Sequence, residues 1–360
     1  MNLKNTKPLY FLKLSLISLS IMAAGFLLYS CSPNSSSSSS SNSSSNLLGG
    51  NLTIKTYNVG QGPSGIAIDT KGDVWVANTL ANTVSEIITS TGSTLTYTVG
   101  TNPVGLAIDQ AGDVWVANTN SGFVSEINPV NDTVKNYPVS DNGTSNPEIY
   151  AVAIAKDTNI WGVDGSNGVL FELSPIGSLK VTYPTQYPQP SVISLDGNGN
   201  AWIEYAFSNT GTNALSEVSL TTGNTISSYT ISPHPYGIAI DQKGNVWVRC
   251  YQAVYEISPT TGSEISYTVW AGTGNIAIDS AGNVWVPGIY RLTEIIPTTG
   301  SVITSKDSVG NNIDGIAVDK SGDIWLANGG NNTVTEIMNI AKGPQYFPYQ
   351  GPQWPTSENF

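Results

Sequence analysis

The chain has 360 residues, of which 39% are hydrophobic and only 11% are charged, and its formal net charge at pH 7 is −12. Because 26 acidic residues outnumber 14 basic ones and no cluster of lysine or arginine occurs, the composition argues against nucleic acid and anionic lipid surfaces as partners. The length is sufficient for a large hydrophobic core.

Residues 1–30 have the features of an export signal, in which lysines precede an apolar run at residues 14–29. The next segment, Leu28-Tyr29-Ser30-Cys31, resembles a bacterial lipobox. The resemblance implies lipidation of Cys31 after cleavage, and an uncleaved membrane anchor is the alternative. We therefore expect an exported protein of the cell envelope, with its folded part outside the cytoplasm and tethered to a membrane through Cys31.

The segments on either side of the folded part have distinct compositions. Residues 31–50 are rich in serine and asparagine, which predicts a flexible linker. Residues 341–360 form a tail of aromatic residues among prolines and glycines, which either packs against the domain or serves as a docking segment. Once Cys31 carries lipid, Cys250 has no partner for an internal disulfide.

A repeat of about 40 residues runs through residues 51–340. Two clear copies begin with Gly65-Ile66-Ala67-Ile68-Asp69 and Gly105-Leu106-Ala107-Ile108-Asp109, and each continues to Val-Trp-Val-Ala-Asn. The equivalent tryptophans are Trp75, Trp115, Trp161, Trp202, Trp247, Trp285 and Trp325. This period, with four strand-like segments in each unit, predicts an all-β fold, a seven-bladed β-propeller.

The ends of the repeat predict how the ring closes. The last unit has three strand-like segments, and residues 52–59 resemble an isolated fourth strand. We expect residues 52–59 to pair beside residues 333–338, so that both ends of the domain join in the last blade.

One glutamate recurs in the third strand of every unit, and a tyrosine recurs in the fourth strand of six. A residue repeated in every blade lies far from its copies around the ring, so the glutamates are predicted to be structural. The Asp-x-x-Gly-Asp/Asn turns resemble calcium loops but contain too few carboxylates, and we assign them to the scaffold as well.

The repeat is least regular on the face where the inner strands begin, mostly in units three to five. There the sequence gathers aromatic and polar residues that suit a flat or sugar-like ligand at the channel mouth. The alternative is that these tyrosines only fill a wide channel. The predicted ligand-binding residues are Tyr150, Tyr205, His234, Tyr236, Arg249 and Asp314.

Catalytic candidates are few. His234 is the single histidine, and Glu148 and Glu204 are the carboxylates expected near it. A metal site with several histidines is therefore impossible, and no Gly-x-Ser-x-Gly motif is present.

The segments Pro63-Ser64-Gly65-Ile66 and Gly72-Asp73-Val74-Trp75 resemble those of NHL-repeat propellers and of the streptogramin (virginiamycin B) lyase family. The lyase resemblance implies Mg²⁺-dependent elimination at the ester of a cyclic depsipeptide, with histidines and a glutamate at the starts of inner strands. Here Tyr236 stands where that family has a histidine, and Asn78 stands where it often has a glutamate.

The sequence therefore favours a non-catalytic, lipid-anchored propeller, expected to be monomeric and to need no cofactor. Its partner on the channel face would be a small molecule, a glycan or an envelope protein. Two alternatives stay open: an Mg²⁺-dependent lyase of the streptogramin type, and a purely structural surface protein.

Overall fold

The computed structural model describes residues 52–139, 147–205, 213–231 and 235–341. Within these ranges all regular structure is β-strand, and no helix is long and apolar enough to span a membrane. The strands in chain order are β1 (Ile54–Asn58), β2 (Pro63–Ile68), β3 (Val74–Asn78), β4 (Thr83–Ile88), β5 (Ser93–Thr98), β6 (Pro103–Ile108), β7 (Val114–Asn118), β8 (Phe123–Asn128), β9 (Thr133–Pro138), β10 (Ile149–Ile154), β11 (Ile160–Asp164), β12 (Val169–Leu173), β13 (Leu179–Pro184), β14 (Pro190–Leu195), β15 (Asn200–Tyr205), β16 (Asn213–Ser219), β17 (Thr225–Ile231), β18 (Pro235–Ile240), β19 (Val246–Cys250), β20 (Ala253–Ile257), β21 (Glu264–Thr268), β22 (Ala277–Ile278), β23 (Val284–Pro287), β24 (Leu292–Ile296), β25 (Ser301–Thr304), β26 (Ile313–Val318), β27 (Ile324–Asn328) and β28 (Thr333–Ile337).

These strands form seven antiparallel sheets of four strands, which are the blades of a β-propeller. Blades 1 to 6 are built from consecutive strands, starting with β2 to β5 and ending with β22 to β25. Blade 7 contains β26, β27, β28 and, as its outer strand, β1 from the start of the domain. The register of β1 on β28 runs from Ile54 opposite Ile337 to Asn58 opposite Thr333. The predicted blade number and ring closure are both confirmed.

The hydrophobic core lies between blades rather than at one centre. Each of seven buried clusters combines residues of two neighbouring blades. Trp75 of blade 1, for example, belongs to one cluster with Leu106 and Ile108 of blade 2. Its ring also stacks on Tyr97, with centroids 5.5 Å apart. The repeated tryptophan therefore joins adjacent blades.

Hydrogen bonds explain the repeated acidic residues. The Tyr57 hydroxyl donates to Glu336 Oε2 over 2.6 Å, and Tyr97 donates to Glu86 Oε2 over 2.9 Å. In the turn before Trp75, Asp69 Oδ1 accepts the backbone N–H groups of residues 71 and 73, each over 2.9 Å. The structural roles predicted for these glutamates and turns are confirmed.

Blade 6 departs from the repeat. Its inner strand β22 has only two residues, and the preceding residues 271–276 form no ladder. Pro287, at the end of the neighbouring strand β23, has no N–H to donate, and Gly272 and Gly274 favour irregular backbone. The glycines also allow close contact, because a Cβ on Gly272 would lie 2.9 Å from the Pro287 carbonyl oxygen.

Candidate functional site

A ring of half-buried side chains marks the face where the inner strands begin. In six blades the pairing of the first two strands is interrupted there by a bulge or irregularity. The residue within each interruption is half-buried, whereas the strand residues beside it are buried. We call this set the bulge ring: Ser64, Val104, Tyr150, Ser191, Tyr236 and Asp314. These are positions that the sequence predicted at the starts of the inner strands.

Directly after the bulge ring, neighbouring inner strands come very close together. A Cβ built on Gly65 would lie 2.1 Å from the carbonyl oxygen of Val104, and one on Gly315 would lie 2.0 Å from that of Ser64. No larger side chain fits at these two positions without a backbone shift. A ligand on this face would therefore meet the bulge ring before any deeper residue.

Tyr150 is held by its neighbours in blade 3. Its hydroxyl donates to Glu148 Oε2 over 3.1 Å, and the Glu148 backbone N–H donates to Asp164 Oδ1 over 3.0 Å. Burial, followed by the charge of Glu148, raises the pKa of Tyr150, so the phenol stays neutral. A Cβ on Gly165 would lie 2.4 Å from the tyrosine ring. The ring is therefore fixed before any ligand binds.

Asp314 lies in the bulge ring at blade 7. Its carboxylate accepts hydrogen bonds of 3.1 Å from the Thr273 hydroxyl and from Asn312 Nδ2. Burial raises the pKa of Asp314 to about 6, and the bond from Thr273 partly opposes this shift. Asp314 can therefore exchange a proton near pH 6.

Two buried ionisable side chains occupy a position that is small or apolar in the other blades. Glu204 in blade 4 and Arg249 in blade 5 follow the repeated tryptophan by two residues, and both are 0% exposed. The equivalent residues elsewhere are Ala77, Ala117, Val163, Pro287 and Ala327. The repeat is thus broken in two adjacent blades at the same position.

Glu204 is an uncompensated acid. Neither carboxylate oxygen has a hydrogen bond of normal geometry, although the backbone N–H of Gly237 lies close enough to favour the charged form. Burial dominates and raises the pKa of Glu204 well above its ordinary value. The side chain is therefore protonated at acidic pH and remains so to higher pH than an ordinary glutamate.

Arg249 supports the irregular backbone of blade 6. Its Nη2 donates to the carbonyl oxygens of Trp270, Gly272 and Pro287 over 3.0, 3.1 and 3.2 Å. Its Nε and Nη1 have no hydrogen-bond partner in the part of the chain that the structure describes. Burial lowers the pKa of Arg249 to about 10, so the guanidinium stays charged at neutral pH.

Tyr236 of the bulge ring lies near both groups. Burial raises its pKa first, the neighbouring Tyr251 and Glu204 add to the rise, and the charge of Arg249 opposes it. Tyr236 is therefore close enough to Glu204 and Arg249 for their charges to affect it. Its side chain is half-buried, and the neighbouring Tyr251 is 43% exposed.

Tyr205 is buried rather than exposed. It packs edge-on against Tyr187, with ring centroids 5.2 Å apart, and burial raises its pKa to about 12. Tyr205 and Arg249 are both predicted ligand-binding residues, and both side chains are buried, at 0% exposure. They lie on the second strands of blades 4 and 5, β15 and β19, which are buried on both faces. Glu204, a catalytic candidate, is enclosed in the same way.

Some predicted residues lie outside the described ranges, and sequence reasoning missed one residue within them. His234 and Cys31 fall in residues that the structure does not describe. Asn275 was not predicted; it is buried and its Nδ2 has no partner. It occupies in blade 6 the position held by Gly65, Gly105 and Gly315 elsewhere, so alignment of the repeats could have found it.

The carboxylates predicted from the sequence are spread around the channel face: Glu148, Glu204 and Asp314 lie in or beside blades 3, 4 and 7. Burial raises the pKa of Glu204 well above its ordinary value, which disfavours a metal ion there. Glu148 lies beside Asp164, whose Oδ1 accepts the Glu148 N–H over 3.0 Å. Within the described ranges, three carboxylates close enough together to hold a metal ion occur around a turn on the opposite face: Asp69, Asp73 and Glu86.

Several solved structures share this propeller fold. Streptogramin B lyase matches with a TM-score of 0.69 and 19% identity over 80% of this chain and 98% of its own. The fold is that of streptogramin B lyase. Virginiamycin B lyase from Staphylococcus aureus matches with a TM-score of 0.68 and 19% identity, over 80% of this chain and 100% of its own.

The extracellular domain of a hybrid two-component system from B. thetaiotaomicron is also similar. It matches with a TM-score of 0.65 and 14% identity over 82% of this chain and 43% of its own. No protein-family model and no curated protein matches the sequence. At these identities the likeness establishes the propeller fold, and the side chains must be judged on their own chemistry.

Proposed function

We propose that this protein is an exported, lipid-anchored β-propeller that binds a ligand on the face of the bulge ring and does not catalyse a reaction. The observation that carries the proposal is the composition of this ring. Tyr150, Tyr236 and Asp314 are half-buried there, whereas the other blades place serine, valine or glycine at the same position. A fixed scaffold thus presents aromatic and acidic groups at one set of loops.

The chemistry favours a ligand with flat or ring-shaped apolar faces and polar edges. Neutral tyrosines offer a ring face and a hydroxyl, and the partly protonated Asp314 can donate or accept a hydrogen bond. A glycan, a small aromatic molecule or an exposed loop of an envelope protein has these features. We further propose that binding needs no cofactor and that the protein is a monomer.

The binding proposal is tested with the mature protein and a panel of defined oligosaccharides and aromatic acids, measured by calorimetry. For any compound that binds, Tyr150→Ala and Tyr236→Ala should each weaken affinity about tenfold or more, since buried aromatic contacts dominate such sites. The control is Ile176→Ala, an exposed residue between β12 and β13 on the opposite face. Equal loss in the control, or no loss in either tyrosine variant, would refute this siting. Unchanged binding in EDTA is expected.

The proposed location rests on residues 1–31 and on the similar extracellular propellers of B. thetaiotaomicron. Cells fed an alkyne fatty acid should label the wild-type protein, and Cys31→Ser should lose the label and leave the membrane fraction. Labelling that persists in Cys31→Ser would contradict the anchor. A protein that remains in the cytoplasm would contradict export.

A second candidate is a Mg²⁺-dependent lyase, favoured by the fold shared with streptogramin B lyase. Within this chain, Glu204 is a buried carboxyl group whose pKa is raised by burial, and His234 is the candidate base. The purified protein is incubated with a streptogramin B and Mg²⁺, and the linear product is followed by mass spectrometry. Product that disappears in His234→Ala would establish the lyase and displace the binding proposal, whereas we expect no product.

A further inference from the structure

Arg249 is a buried cation without a counter-ion in the described part of the chain. Its side chain is 0% exposed, and none of the salt bridges between described residues includes it. A buried charge is normally paired, because its removal from water is strongly unfavourable unless a partner compensates for it. Glu204, in the neighbouring blade 4, makes no salt bridge or hydrogen bond with Arg249 among the described residues.

The free donors of Arg249 point to a missing acceptor. Nη2 is fully used by three backbone carbonyl oxygens of blade 6. Among the described residues, the Nε–H and both hydrogens of Nη1 have no hydrogen-bond partner. This edge of a guanidinium is the fork that binds a carboxylate or another anion with two hydrogen bonds.

A second unpaired donor lies in the same junction. Asn275 is 2% exposed, its Oδ1 accepts the N–H of Ile276 over 2.8 Å, and its Nδ2 has no partner. A Cβ on Gly237 would lie 2.0 Å from Asn275 Oδ1, and Gly237 is the residue opposite Arg249 in the ladder of β18 and β19. The amide of Asn275 and the guanidinium therefore belong to one junction, between blades 5 and 6.

We propose that the junction between blades 5 and 6 binds an anion through Nε and Nη1 of Arg249 and Nδ2 of Asn275. Two kinds of anion could accept these hydrogen bonds: a small inorganic anion, or the carboxylate of a ligand bound at the bulge ring. The carboxylate case rests on the proposed ligand-binding function, whereas the inorganic case stands without it. Either anion neutralises the guanidinium and uses its unpaired donors.

The test uses bromide as a probe, first in crystals of the wild-type protein. An anomalous peak is expected within hydrogen-bond distance of Arg249 Nε or Nη1. In solution, the melting temperature should rise with bromide concentration relative to an equal concentration of a weakly bound salt, because bromide binds only the folded state. Ordered water without anomalous signal, together with no bromide-specific rise, would overturn the proposal.

Variants separate the site from general salt effects. Asn275→Asp places a carboxylate in the junction, so it should raise the melting temperature without bromide and abolish the bromide-dependent rise. Asn224→Asp makes the same change at an exposed position and should keep the rise. Arg249→Met, if it folds, should lose the bromide-dependent rise, as Asn275→Asp does. A bromide-dependent rise in melting temperature that persists in Asn275→Asp would refute the assignment of Arg249 and Asn275 as the anion-binding residues.

Acetate distinguishes the two sources of the anion. If acetate reduces the bromide peak and also gives a thermal shift, the junction accepts carboxylates and is part of the ligand site. If only halides bind, the anion is inorganic. Bromide binding without any ligand on the bulge ring would refute the proposed function while upholding this site.

Discussion

In each of three neighbouring blades, an aspartate occupies a position that is asparagine in the other blades. We predict that replacing these aspartates stabilises the protein. In blades 3 to 6 an asparagine amide donates to the repeated glutamate, as in Asn200 Nδ2 to Glu217 Oε1 over 2.9 Å. The same amide also donates to the turn aspartate, Asp196, over 3.2 Å. In blades 7, 1 and 2 this position is aspartate: Asp323, Asp73 and Asp113. The proposed perturbation is the replacement of these aspartates by asparagine, singly and together.

The magnitude follows from the geometry of blade 1. The carboxylates of Asp69, Asp73 and Glu86 offer oxygen atoms within 4.8 Å of one another. Two charges at that distance repel by about 1 kcal/mol at the dielectric constant of water and by about 3–4 kcal/mol at a value of 20. Burial, then the charges of Asp73 and Asp69, raise the pKa of Glu86, so proton uptake limits the repulsion. We expect about 1–2 kcal/mol of added stability per site, which for a domain of this length is a rise of roughly 2–3 °C in melting temperature.

The assay is thermal unfolding followed by tryptophan fluorescence, in EDTA, at several pH values. Burial, then Asp109 and Glu126, raise the pKa of Asp113, and burial likewise raises that of Asp323. An acid with a raised folded pKa contributes stability below its unfolded pKa, and this is lost as pH rises through the folded pKa. The gain from the asparagines should therefore be larger at pH 7 than at pH 4.

Controls make the reasoning refutable. Asp307→Asn removes an exposed carboxylate and should leave the melting temperature within about 1 °C, as surface substitutions usually do. The reverse change, Asn200→Asp, should lower it. A fall in melting temperature for Asp73→Asn, or a gain that does not depend on pH, would show that the cluster is not a source of repulsion.

Three further predictions concern the channel face. Glu204→Gln should become more stable than the wild type as pH rises from 4 to 7. In the wild type, burial keeps the Glu204 carboxyl protonated above the pH at which it ionises in the unfolded chain, so a rise in pH favours unfolding, whereas glutamine does not ionise. The same dependence of melting temperature on pH in both proteins would contradict this. Gly315→Ala should cost about 2–3 kcal/mol in a denaturant titration, since its Cβ would lie 2.0 Å from the Ser64 carbonyl oxygen; a neutral effect would mean that the blades can separate there. Asp314→Asn should remove any dependence of ligand affinity on pH near 6, measured by calorimetry; a dependence that persists would assign the proton to another group.

The propeller itself could be predicted from the sequence because each blade repeats one set of contacts. The tryptophans set the period, and the predicted segment 52–59 contains the missing outer strand of blade 7, Ile54–Asn58. The short strand β22 was not anticipated, because the effect of Pro287 depends on which N–H groups the ladder needs. The sequence alone therefore did not predict that residues 271–276, beside Pro287, would lack strand pairing.

The candidate site could be predicted only in outline. Tyr150, Tyr236 and Asp314 were placed correctly at the starts of inner strands, since the repeat fixes that position. The burial of Glu204 and Arg249 was not predicted, because alternation along a strand does not distinguish a residue facing solvent from one facing the next blade. Both residues were nevertheless visible as departures from alanine in the aligned repeat.

The most direct measurement for the central claim is a crystallographic screen of the wild-type protein with small aromatic and polyol fragments. Fragments that bind should contact Tyr150, Tyr236 or Asp314 on the face of the bulge ring. Fragments that gather on the opposite face, or that bind elsewhere while the bulge ring stays empty, would contradict the claim that this ring is a ligand-binding site.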